Sequence, residues 1–499
     1  MKKSLWQKYN DMKKLNSINE NMSTDVLIIG AGITGVSVAY NLINHKENVI
    51  LIDRNKCCDG VTAKSTGKLT YLQDLMYQKI VNTCGMNAAK LYYDAQKEAI
   101  RIVKKNVKNE NIDCDLKQSE SIAFTKNLKE LPKFEAERRI LDELDVNYSN
   151  LHNKFLLNDV KDVIKVKNTY VFNPVKYVIS LLKKVINSPN ILVYENSIAT
   201  KIKKENDFFI VMVNGFEIKT KKVVIACNYP FFTIPGLIPF KTYVEKSYIC
   251  ASKTDETQNL NAISSNYPCE SFRYYDDGKD KYFIYLNNSS KICDKLNYEK
   301  NYKQCAKKIK EITNNKPLYK WENMDVLTND NLPLIGRISS YEKNVFIATG
   351  YNTWGMTNGV IAGKIISDLI LNKKNKYVDL FNPSRSINFS KFKNFITNTM
   401  ISNVKAYTFN LIKKNPSWYK NKAIVTKING KRVGVYFDSK GEKHVVSNIC
   451  PHLKCFLTFN EVDKTWDCPC HGSRFDVDGN CVKGPSVYDI KIDETNISN

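Results

Sequence analysis

Four side chains of metal-binding type stand in two short stretches near the carboxyl end of this 499-residue chain. Cys450 and His452 form a C-x-H pair, and Cys468 and His471 form a C-x-x-H pair, with fifteen residues between the pairs. Each stretch therefore supplies one thiolate and one imidazole. Two segments with this mixed ligand set have to grip a common inorganic centre from opposite sides, which constrains how the surrounding chain folds.

Two kinds of metal centre use two cysteines and two histidines. Structural zinc sites usually take like ligands from each segment, as in C-x2-C followed by H-x3-H. A [2Fe-2S] cluster with two sulfurs on one iron and two imidazoles on the other needs one of each from both segments. The mixed pairs favour the cluster, and structural zinc is the alternative. The C-terminal module is accordingly predicted to carry electrons.

The residues around these ligands resemble the Rieske family. The similarity runs over Cys450–Cys455 and Trp466–Asp476, and it is greatest to the high-potential branch, which has one extra cysteine on each cluster loop. The resemblance implies that Cys455 and Cys470 form a disulfide between the loops, although disulfides are unusual in a reducing compartment. It also implies that the hydroxyl of Ser473 hydrogen-bonds a cluster sulfur and raises its potential.

Other positions of the C-terminal module extend or limit this resemblance. Phe475 stands where the family often has a tyrosine, so one potential-raising hydrogen bond is missing. Residues 484–486, Gly-Pro-Ser, resemble the loop that shields the cluster, with an ordinary Gly-Pro turn as the alternative. Apolar runs at Ala423–Ile428, Val433–Phe437 and Val445–Ile449 predict three strands of a small all-β module.

A dinucleotide-binding fingerprint stands near the other end of the chain. The apolar run Asp25–Ile29 leads into Gly30, Gly32 and Gly35 in a G-x-G-x-x-G pattern, and a helical stretch follows. These glycines permit a tight turn and let the backbone approach a pyrophosphate at the start of the helix. A second apolar strand ends in Asp53, whose carboxylate is placed to accept ribose hydroxyls. A glycine-rich turn without a ligand is the alternative.

Downstream segments favour FAD over NAD. Residues 60–70 form a hydroxyl-rich loop suited to an extended cofactor, and residues 330–336 precede a strand and a second glycine-rich helix start at 350–363. This pattern resembles the D-amino-acid oxidase and glycine oxidase superfamily of flavoproteins, most closely its bacterial branch with a C-terminal Rieske domain. The similarity covers nearly the whole chain. In that family the second helix directs its N-terminus at the flavin and stabilises its anionic reduced form.

The resemblance implies further FAD contacts, which are Arg54, Thr66, Lys68, Gly336, Gly350, Trp354, Gly355, Met356 and Thr357. The sequence has one dinucleotide fingerprint, so we expect the electron donor to be a small organic substrate and not NAD(P)H. Some relatives bind flavin covalently through a cysteine shortly before the Asp-x-x-Pro motif. Because no cysteine lies between Cys305 and Cys450, we expect FAD to be held non-covalently.

The substrate is the least determined feature of the sequence. Amino-acid oxidases of the superfamily usually anchor the substrate carboxylate with an arginine before the Asp-x-x-Pro motif. Residues 321–330 contain no arginine, which favours an amine or a larger modified substrate. Arg273 could replace that arginine, and Asp325 or Glu322 could attract a cationic amine, with a structural ion pair as the alternative for each. No histidine base is expected, since a held amine can pass hydride directly to flavin.

The chain is too long for one compact core, and several domains are expected. The predicted fold class is α/β: a Rossmann-like FAD-binding domain, a mixed-sheet α+β substrate domain and a small all-β Rieske domain. Residues 85–155 carry helical spacing, and Lys391–Thr399 and Val404–Lys413 are predicted as connector helices. The expected boundaries are an N-terminal extension at 1–22, the FAD domain at 23–84, 156–238 and 322–374, the substrate domain at 85–155 and 239–321, a connector at 375–419 and the Rieske domain at 420–499.

Charge and targeting signals limit the remaining possibilities. The net charge is +24, but Lys and Asn are used everywhere without a dense basic run, so compositional bias is favoured over nucleic-acid binding. The N-terminus lacks the apolar core of a signal peptide, and the longest apolar tract, Val223–Phe240, is broken by Asn and Pro. We therefore expect no membrane span. Fourteen irregularly spaced cysteines suit a cytoplasmic location.

One hypothesis accounts best for these features. It is an FAD-dependent dehydrogenase that takes hydride from a small amine or amino-acid-like substrate and passes single electrons through a Rieske cluster to a ferredoxin, a quinone or another carrier. The first alternative reverses the current, so that the cluster feeds a flavin-dependent reductase or monooxygenase. The second alternative is a redox sensor or basic binding protein without turnover.

Overall fold

The computed structural model describes residues 3–150, 159–232, 234–291, 298–385 and 421–492. The α-helices of these ranges are α1 (Ile33–Asn41), α2 (Met76–Cys84), α3 (Met86–Asn109), α4 (Leu131–Glu143), α5 (Pro174–Ile186), α6 (Ile238–Lys241), α7 (Tyr298–Thr313), α8 (Gly355–Ile370) and α9 (Val378–Phe381). The strands are β1 (Met22–Ile29), β2 (Val49–Ile52), β3 (Lys68–Leu69), β4 (Lys117–Thr125), β5 (Tyr148–Ser149), β6 (Asp162–Val171), β7 (Ile191–Tyr194), β8 (Ala199–Glu205), β9 (Phe208–Val213), β10 (Phe216–Ile225), β11 (Thr242–Lys253), β12 (Leu260–Ser264), β13 (Ser271–Asp276), β14 (Lys281–Lys291), β15 (Tyr319–Thr328), β16 (Leu334–Arg337), β17 (Val345–Thr349), β18 (Lys422–Ile428), β19 (Lys431–Phe437), β20 (Lys443–Ser447), β21 (Thr458–Asn460), β22 (Thr465–Asp467), β23 (Arg474–Phe475) and β24 (Cys481–Lys483).

The first sheet has the strand order β16-β17-β10-β1-β2-β7, with β9 on β10 and β8 on β9. Strands β17, β10, β1, β2 and β7 pair in parallel, so their carboxyl ends meet at one edge. The apolar runs of β17, β10, β1 and β2 are buried on both faces, as expected for a parallel sheet covered on both sides, while β7 is partly exposed. This edge is where doubly wound folds bind their ligands.

Helices α1 and α8 lie against each other because glycines allow their backbones to approach. A Cβ on Gly363 would lie 2.4 Å from the Cβ of Ser37, and one on Gly359 would lie 2.7 Å from Cγ2 of Ile33. The close contact brings the N-terminus of α8 beside the turn that follows β1. The two glycine-rich helix starts of the sequence therefore meet at the carboxyl edge of the first sheet.

The second sheet is mixed and has the order β15-β11-β14-β13-β12-β4-β6-β3, with β5 on β6. One face contributes Trp321, Ile249 and Ile284 to the main core shared with the first sheet. The opposite face packs on α7 through Tyr302 and Cys305. Both faces are thus covered, and β15 is left as an edge strand.

Helical spacing over residues 85–155 correctly predicts α3 and α4 but misses the strand between them. Lys117–Thr125 forms β4, whose buried residues pair with β12 and β6 in the middle of the second sheet. Tertiary pairing outweighs the local helical pattern here because a nine-residue segment between two strands gains hydrogen bonds on both sides.

The C-terminal module is all-β, as predicted. Strands β18, β19 and β20 form one antiparallel sheet, and β21 to β24 form another. Their shared core includes Trp466, Phe475 and Leu457. The indole of Trp466 lies against Gly434, where a Cβ would be 2.6 Å from the ring.

The domain boundaries themselves remain predictions. Strands β6 and β15 both belong to the second sheet. The boundaries predicted from the sequence assign β6 and residues 322–328 of β15 to the FAD domain. The predicted connector helices Lys391–Thr399 and Val404–Lys413 lie outside the described residues. Within the residues that are described, no helix is both long and apolar enough to cross a membrane.

The contact between α1 and α8 gives a test of the packing. We expect Gly363→Ala to destabilise the flavin-binding region by about 1–3 kcal/mol, because the added methyl group overpacks a helix contact. Gly60→Ala is the matched control, since nothing lies within 4 Å of a Cβ at Gly60. Scanning calorimetry should show a lower transition temperature for the first variant alone. Equal transition temperatures would contradict the packing.

Candidate functional site

The turn after β1 forms a backbone cradle at the start of α1. Gly30 has a φ of 110°, and a Cβ there would lie 2.7 Å from the carbonyl oxygen of Ala226. A Cβ on Gly35 would lie 1.8 Å from the carbonyl oxygen of Gly30, and one on Gly32 would lie 3.0 Å from Oγ1 of Thr62. Only glycine fits these positions without rearrangement. A tight turn at a helix N-terminus suits the pyrophosphate of a dinucleotide.

Asp53 lies directly after β2 beside this turn. Its carboxylate accepts hydrogen bonds from the backbone N–H of Ala31, at 2.8 Å, and of Asn55, at 2.9 Å. Burial raises the pKa of Asp53 to about 6, partly offset by these two backbone donors. The carboxylate thus stands where the fingerprint predicts an acceptor for ribose hydroxyls.

Arg273 holds the backbone of Thr66 and Gly67, in the loop that leads into β3. Its Nη1 donates to the carbonyl oxygens of Thr66, Gly67 and Phe172 at 3.0, 2.6 and 3.1 Å, and its Nε donates to Tyr274. The side chain is 1% exposed, and burial lowers its pKa to about 9. Backbone carbonyls accept from Nη1 and Nε of Arg273, which supports the structural alternative, and its role in anchoring a substrate carboxylate stays a prediction.

Lys68 is also committed to protein acceptors. Its ammonium donates to the carbonyl oxygen of Ala262 at 2.6 Å and to the hydroxyl of Ser271 at 2.5 Å, both in the second sheet. Burial lowers the pKa of Lys68 to about 7. The carbonyl oxygen of Thr66 accepts from Arg273. An FAD contact through Lys68 or Thr66 stays a prediction.

The second glycine-rich helix start lies next to the first. Trp354 immediately precedes α8, and the hydroxyl of Thr357 accepts from Nε2 of Gln73 at 3.0 Å. The hydroxyls of Tyr351 and Thr34 are 2.8 Å apart and join the two helix starts. The predicted FAD contacts in this region are Gly336 in β16, Gly350 with a φ of 71°, Trp354, and the first residues of α8, Gly355, Met356 and Thr357.

The structure brings the four predicted cluster ligands together in the C-terminal module. Cys450 and Cys468 are each 1% exposed, and their thiols share a hydrogen bond that raises the pKa of Cys450 and lowers that of Cys468. The rings of His452 and His471 lie 5.1 Å apart at 86° to each other. Thiols and imidazoles therefore come from both loops, as a two-iron centre requires.

Imidazole nitrogens of this site lack hydrogen-bond partners among the described residues, and a bound metal would coordinate one on each ring. Both ring nitrogens of His452 and Nδ1 of His471 are buried and have no hydrogen-bond partner among the described residues. Burial lowers the pKa of His452 to about 4 and that of His471 to about 3, so both rings are neutral. Neutral imidazoles are the metal-binding form, and buried nitrogen atoms seldom lack a partner. The donor set fits a [2Fe-2S] cluster.

Two contacts next to the ligands match the Rieske resemblance. Cys455 and Cys470 are joined by a disulfide with an S–S distance of 2.23 Å. The hydroxyl of Ser473 hydrogen-bonds the thiol of Cys450 and accepts the backbone N–H of Ser486 at 2.8 Å. The predicted shielding loop thus reaches the cluster site through Ser473.

A buried ion network joins the C-terminal module to the edge of the second sheet. Lys246 of β11 pairs with Glu322 of β15 at 3.3 Å and with Asp467 of β22 at 3.2 Å. Arg474 of β23 pairs with Glu322 at 2.6 Å, with Asp467 at 2.7 Å and with Asp463 at 3.2 Å. All five side chains are at most 9% exposed. Glu322 therefore forms the structural ion pair that the sequence left open as the alternative, and its attraction for an amine stays a prediction.

Arg54 makes a second connection between the modules. Its Nη2 donates to the carbonyl oxygen of Ser486 at 2.6 Å, and its Nη1 lies 3.5 Å from the sulfur of Cys481. Because Arg54 follows Asp53, it ties the dinucleotide edge to the shielding loop of the cluster. Its described partners lie in the C-terminal module, and its predicted FAD contact stays a prediction.

Tyr229 contacts both predicted histidine ligands. Its ring centroid lies 4.7 Å from that of His471 and 5.8 Å from that of His452. The side chain is 5% exposed and belongs to the segment that leaves the carboxyl end of β10. The histidine end of the cluster site therefore packs against the flavin-binding part of the same chain.

Asp325 lies on the other face of the second sheet from the ion network. It stands opposite Glu245 in the register of β11 and β15, and both carboxylates are half-buried. Nδ2 of Asn323 donates to both oxygens of Asp325 at 3.2 Å, while Oδ1 of Asn323 is buried and has no hydrogen-bond partner in the part of the chain that the structure describes. Burial, then the charge of Glu245, raises the pKa of Asp325 to about 7 against the opposing effect of Lys483.

Sequence reasoning missed Tyr229, Lys246, Arg474, Asn323 and Glu245. A weak signal exists for Tyr229, which follows a buried apolar strand at the ligand-binding edge of the first sheet. Lys246 and Arg474 give no such signal, because a basic residue on a strand is ordinarily solvent-exposed and only the module contact buries them.

Two family descriptions match this chain. The description "FAD dependent oxidoreductase" matches residues 25–369, and "Rieske [2Fe-2S] domain" matches residues 410–492. The chain belongs to the FAD dependent oxidoreductase family, and it carries a C-terminal Rieske domain. FAD and a [2Fe-2S] cluster are the cofactors of these two parts, which confirms both cofactor predictions.

Relatives extend over most of the chain. YhfW of Bacillus subtilis strain 168, whose name designates a Rieske 2Fe-2S iron-sulfur protein, is 30% identical over 97% of this chain and 96% of its own length. Gamma-glutamylputrescine oxidoreductase of Escherichia coli K12 is 22% identical over 72% of this chain and 87% of its own length. Glycine oxidase from Geobacillus kaustophilus shares the fold, with a TM-score of 0.62, 14% identity and coverage of 74% of this chain and 100% of its own.

The ion network gives a second testable prediction. Arg474→Met should lower the stability of the holoprotein by about 3–5 kcal/mol, because three buried carboxylates lose their shared cation. The matched control is Lys203→Met in the pair with Glu205, where no measurable loss is expected because water screens both exposed side chains. Scanning calorimetry measures both. A shift for Arg474→Met no larger than that of the control would contradict the network.

Proposed function

We propose that this protein is a dehydrogenase that oxidises a small amine and delivers the electrons, one at a time, to an external one-electron carrier. The observation that supports this most directly is the union of a flavin cradle and a Rieske ligand set in one chain, with a buried contact between them. When bound, FAD supplies the hydride acceptor and the cluster supplies one-electron transfer. The chain itself binds the substrate, excludes water and fixes the two cofactors relative to each other.

The substrate group that fits the described side chains is a cation. Asp325 and Glu245 place two carboxylates opposite each other on the sheet face that also contributes Trp321 to the main core. The unpartnered Oδ1 of Asn323 adds a third acceptor beside them. An ammonium group would supply donors to these oxygens and would offset both the burial and the repulsion from Glu245 that raise the pKa of Asp325.

An α-amino-acid substrate has less support. It would need a cationic side chain to bind its carboxylate, whereas Nη1 of Arg273 donates to backbone carbonyls. Residues 321–330 offer no arginine in its place. The relative whose name refers to gamma-glutamylputrescine acts, by that name, on an amine derivative. We therefore assign an amine substrate to this chain, with Asp325 as the residue that binds its ammonium.

In the proposed reaction the ammonium bound at Asp325 would first lose one proton to water. The C–H bond next to the nitrogen would then break as the C=N bond forms, with bound FAD as the hydride acceptor and a protonated imine as the product. Two electrons then leave one at a time through the cluster to two equivalents of a ferredoxin, or to one quinone. We place the reaction in the cytoplasm, in keeping with the sequence.

Anaerobic addition of amines to the holoprotein tests this function. A substrate amine should bleach the flavin absorbance and then produce the low-temperature EPR signal of a reduced Rieske cluster. α-Amino acids should act at least tenfold more slowly than the corresponding amines. Flavin bleaching that never reduces the cluster would contradict the electron route, and a cluster potential well below that of the flavin would indicate the reverse direction.

The pKa of Asp325 gives a separate prediction. A group whose pKa is about 7 is mostly neutral at pH 6 and mostly ionised at pH 8, so its attraction for a cation grows with pH. The affinity for tetramethylammonium, which cannot titrate, should therefore rise about tenfold over this range. Asp325→Asn should weaken binding and abolish the rise, as measured by perturbation of the flavin spectrum.

The control for this measurement is Asp113→Asn, because the side chain of Asp113 is 86% exposed and its ion-pair partner Lys176 lies 3.7 Å away. It should keep both the affinity and its pH dependence. A pH dependence that persists in Asp325→Asn would contradict the assignment of Asp325. Glu245, Asn323 and Lys483 are the other groups that face this carboxylate and would then be the source of the titration.

A further inference from the structure

We propose that Tyr229 is the positioning residue that closes the histidine end of the Rieske centre onto the flavin-binding part of the chain. In this arrangement electrons pass between flavin and cluster inside one molecule, across the Tyr229 contact. The external carrier has to approach the cluster from another side. This inference rests on the electron route of the proposed function and is independent of its amine substrate.

The backbone that leads into Tyr229 is held at the dinucleotide edge. The N–H of Ala226 donates to the carbonyl oxygen of Ile29 at 2.8 Å, directly before the glycine turn. The carbonyl oxygen of Asn228 accepts from the hydroxyl of Thr349. The side-chain Nδ2 of Asn228 donates to the carbonyl oxygen of Met324 at 3.3 Å. The segment is thus fixed to β1, to β17 and to β15 at once.

The ring of Tyr229 fills the space between this edge and the cluster site. One side packs with Val244, Met324 and Val326 in a small apolar cluster of the second sheet. The other side meets the imidazoles of His471 and His452, with centroids at 4.7 and 5.8 Å. The ring is therefore in contact with the cluster ligands and with the second sheet, and the backbone that carries it is fixed at the dinucleotide edge.

The same contact covers the imidazoles. His471 is 7% exposed, and both ring nitrogens of His452 are buried. A protein carrier that needed either histidine edge would first have to displace Tyr229, together with the ion network around Lys246 and Arg474. Since a buried network of this kind resists separation, the covered arrangement is the working one.

The electron step through this contact is simple to balance. Each transfer removes one electron from the reduced flavin and converts one ferric iron of the cluster to ferrous, and Tyr229 gains and loses nothing. Its part is to keep the two centres at one separation without intervening solvent. The aromatic ring should therefore matter, while the phenolic hydroxyl should not.

Laser-flash reduction of the oxidised holoprotein tests this proposal with 5-deazariboflavin as the electron donor. After the flavin is reduced, the wild type should show a first-order, concentration-independent reappearance of oxidised flavin as the cluster is reduced. Tyr229→Phe should keep this rate within twofold. Tyr229→Leu, which retains an apolar side chain without the ring, should slow it at least tenfold, with the EPR signal of the cluster still present.

Tyr93→Leu on α3 is the matched control, because Tyr93 is also buried, at 8% exposed, but lies away from the cluster. It should leave the rate unchanged. If Tyr229→Leu is isolated without its cluster, the flash-reduction rate is measured on Tyr229→Met, which should show the same slowing. Unchanged rates in the Leu and Met variants would overturn the role of Tyr229. A wild type without any concentration-independent phase would overturn the electron route itself.

Discussion

The structure depends on a buried ion network between two folding units. Glu322 lies on the edge strand β15 of the second sheet and Lys246 on the neighbouring strand β11, and Asp467 and Arg474 lie on the small C-terminal sheet. Removing such charges from water costs free energy, and the attraction between them offsets that cost only when the geometry of the network is kept. A network of this kind therefore favours a single arrangement of the two units over a sliding contact. The arrangement that it favours brings the histidine end of a Rieske site against Tyr229 at the dinucleotide edge of the first sheet.

This arrangement explains why the two halves of the chain can work as one redox unit. The parallel strands of the first sheet bring both glycine-rich helix starts to one edge, where the FAD cradle forms. The second sheet covers the same core with one face and offers a carboxylate pair at Asp325 and Glu245 on that face. Its other face and its edge receive the Rieske module. One sheet thus carries the proposed substrate carboxylates on one face and contacts the Rieske module with its other face and its edge, where Lys483 of that module also approaches Asp325.

Much of this organisation could be predicted from the sequence, because local patterns determine it. The glycine spacing after β1 and the cysteine and histidine spacing of the cluster loops both describe short segments whose geometry depends on few neighbours. The strand β4 and the fates of Arg273 and Glu322 could not be predicted in the same way. Each depends on partners that are distant in sequence, such as the carbonyl of Phe172 for Arg273 and the guanidinium of Arg474 for Glu322. Tyr229 shows the same limit, since its ring acquires a role only when the C-terminal module is in place.

The central claim is that one fixed arrangement joins the Rieske module to the flavin-binding part. It is tested most directly by pulsed EPR between the reduced cluster and a nitroxide label on Cys84, an exposed cysteine at the end of α2. A fixed contact predicts one narrow distance distribution that does not change between low and physiological salt, because the ion pairs that hold the modules are buried. A broad or multiple distribution, or one that widens as salt is raised, would contradict the account.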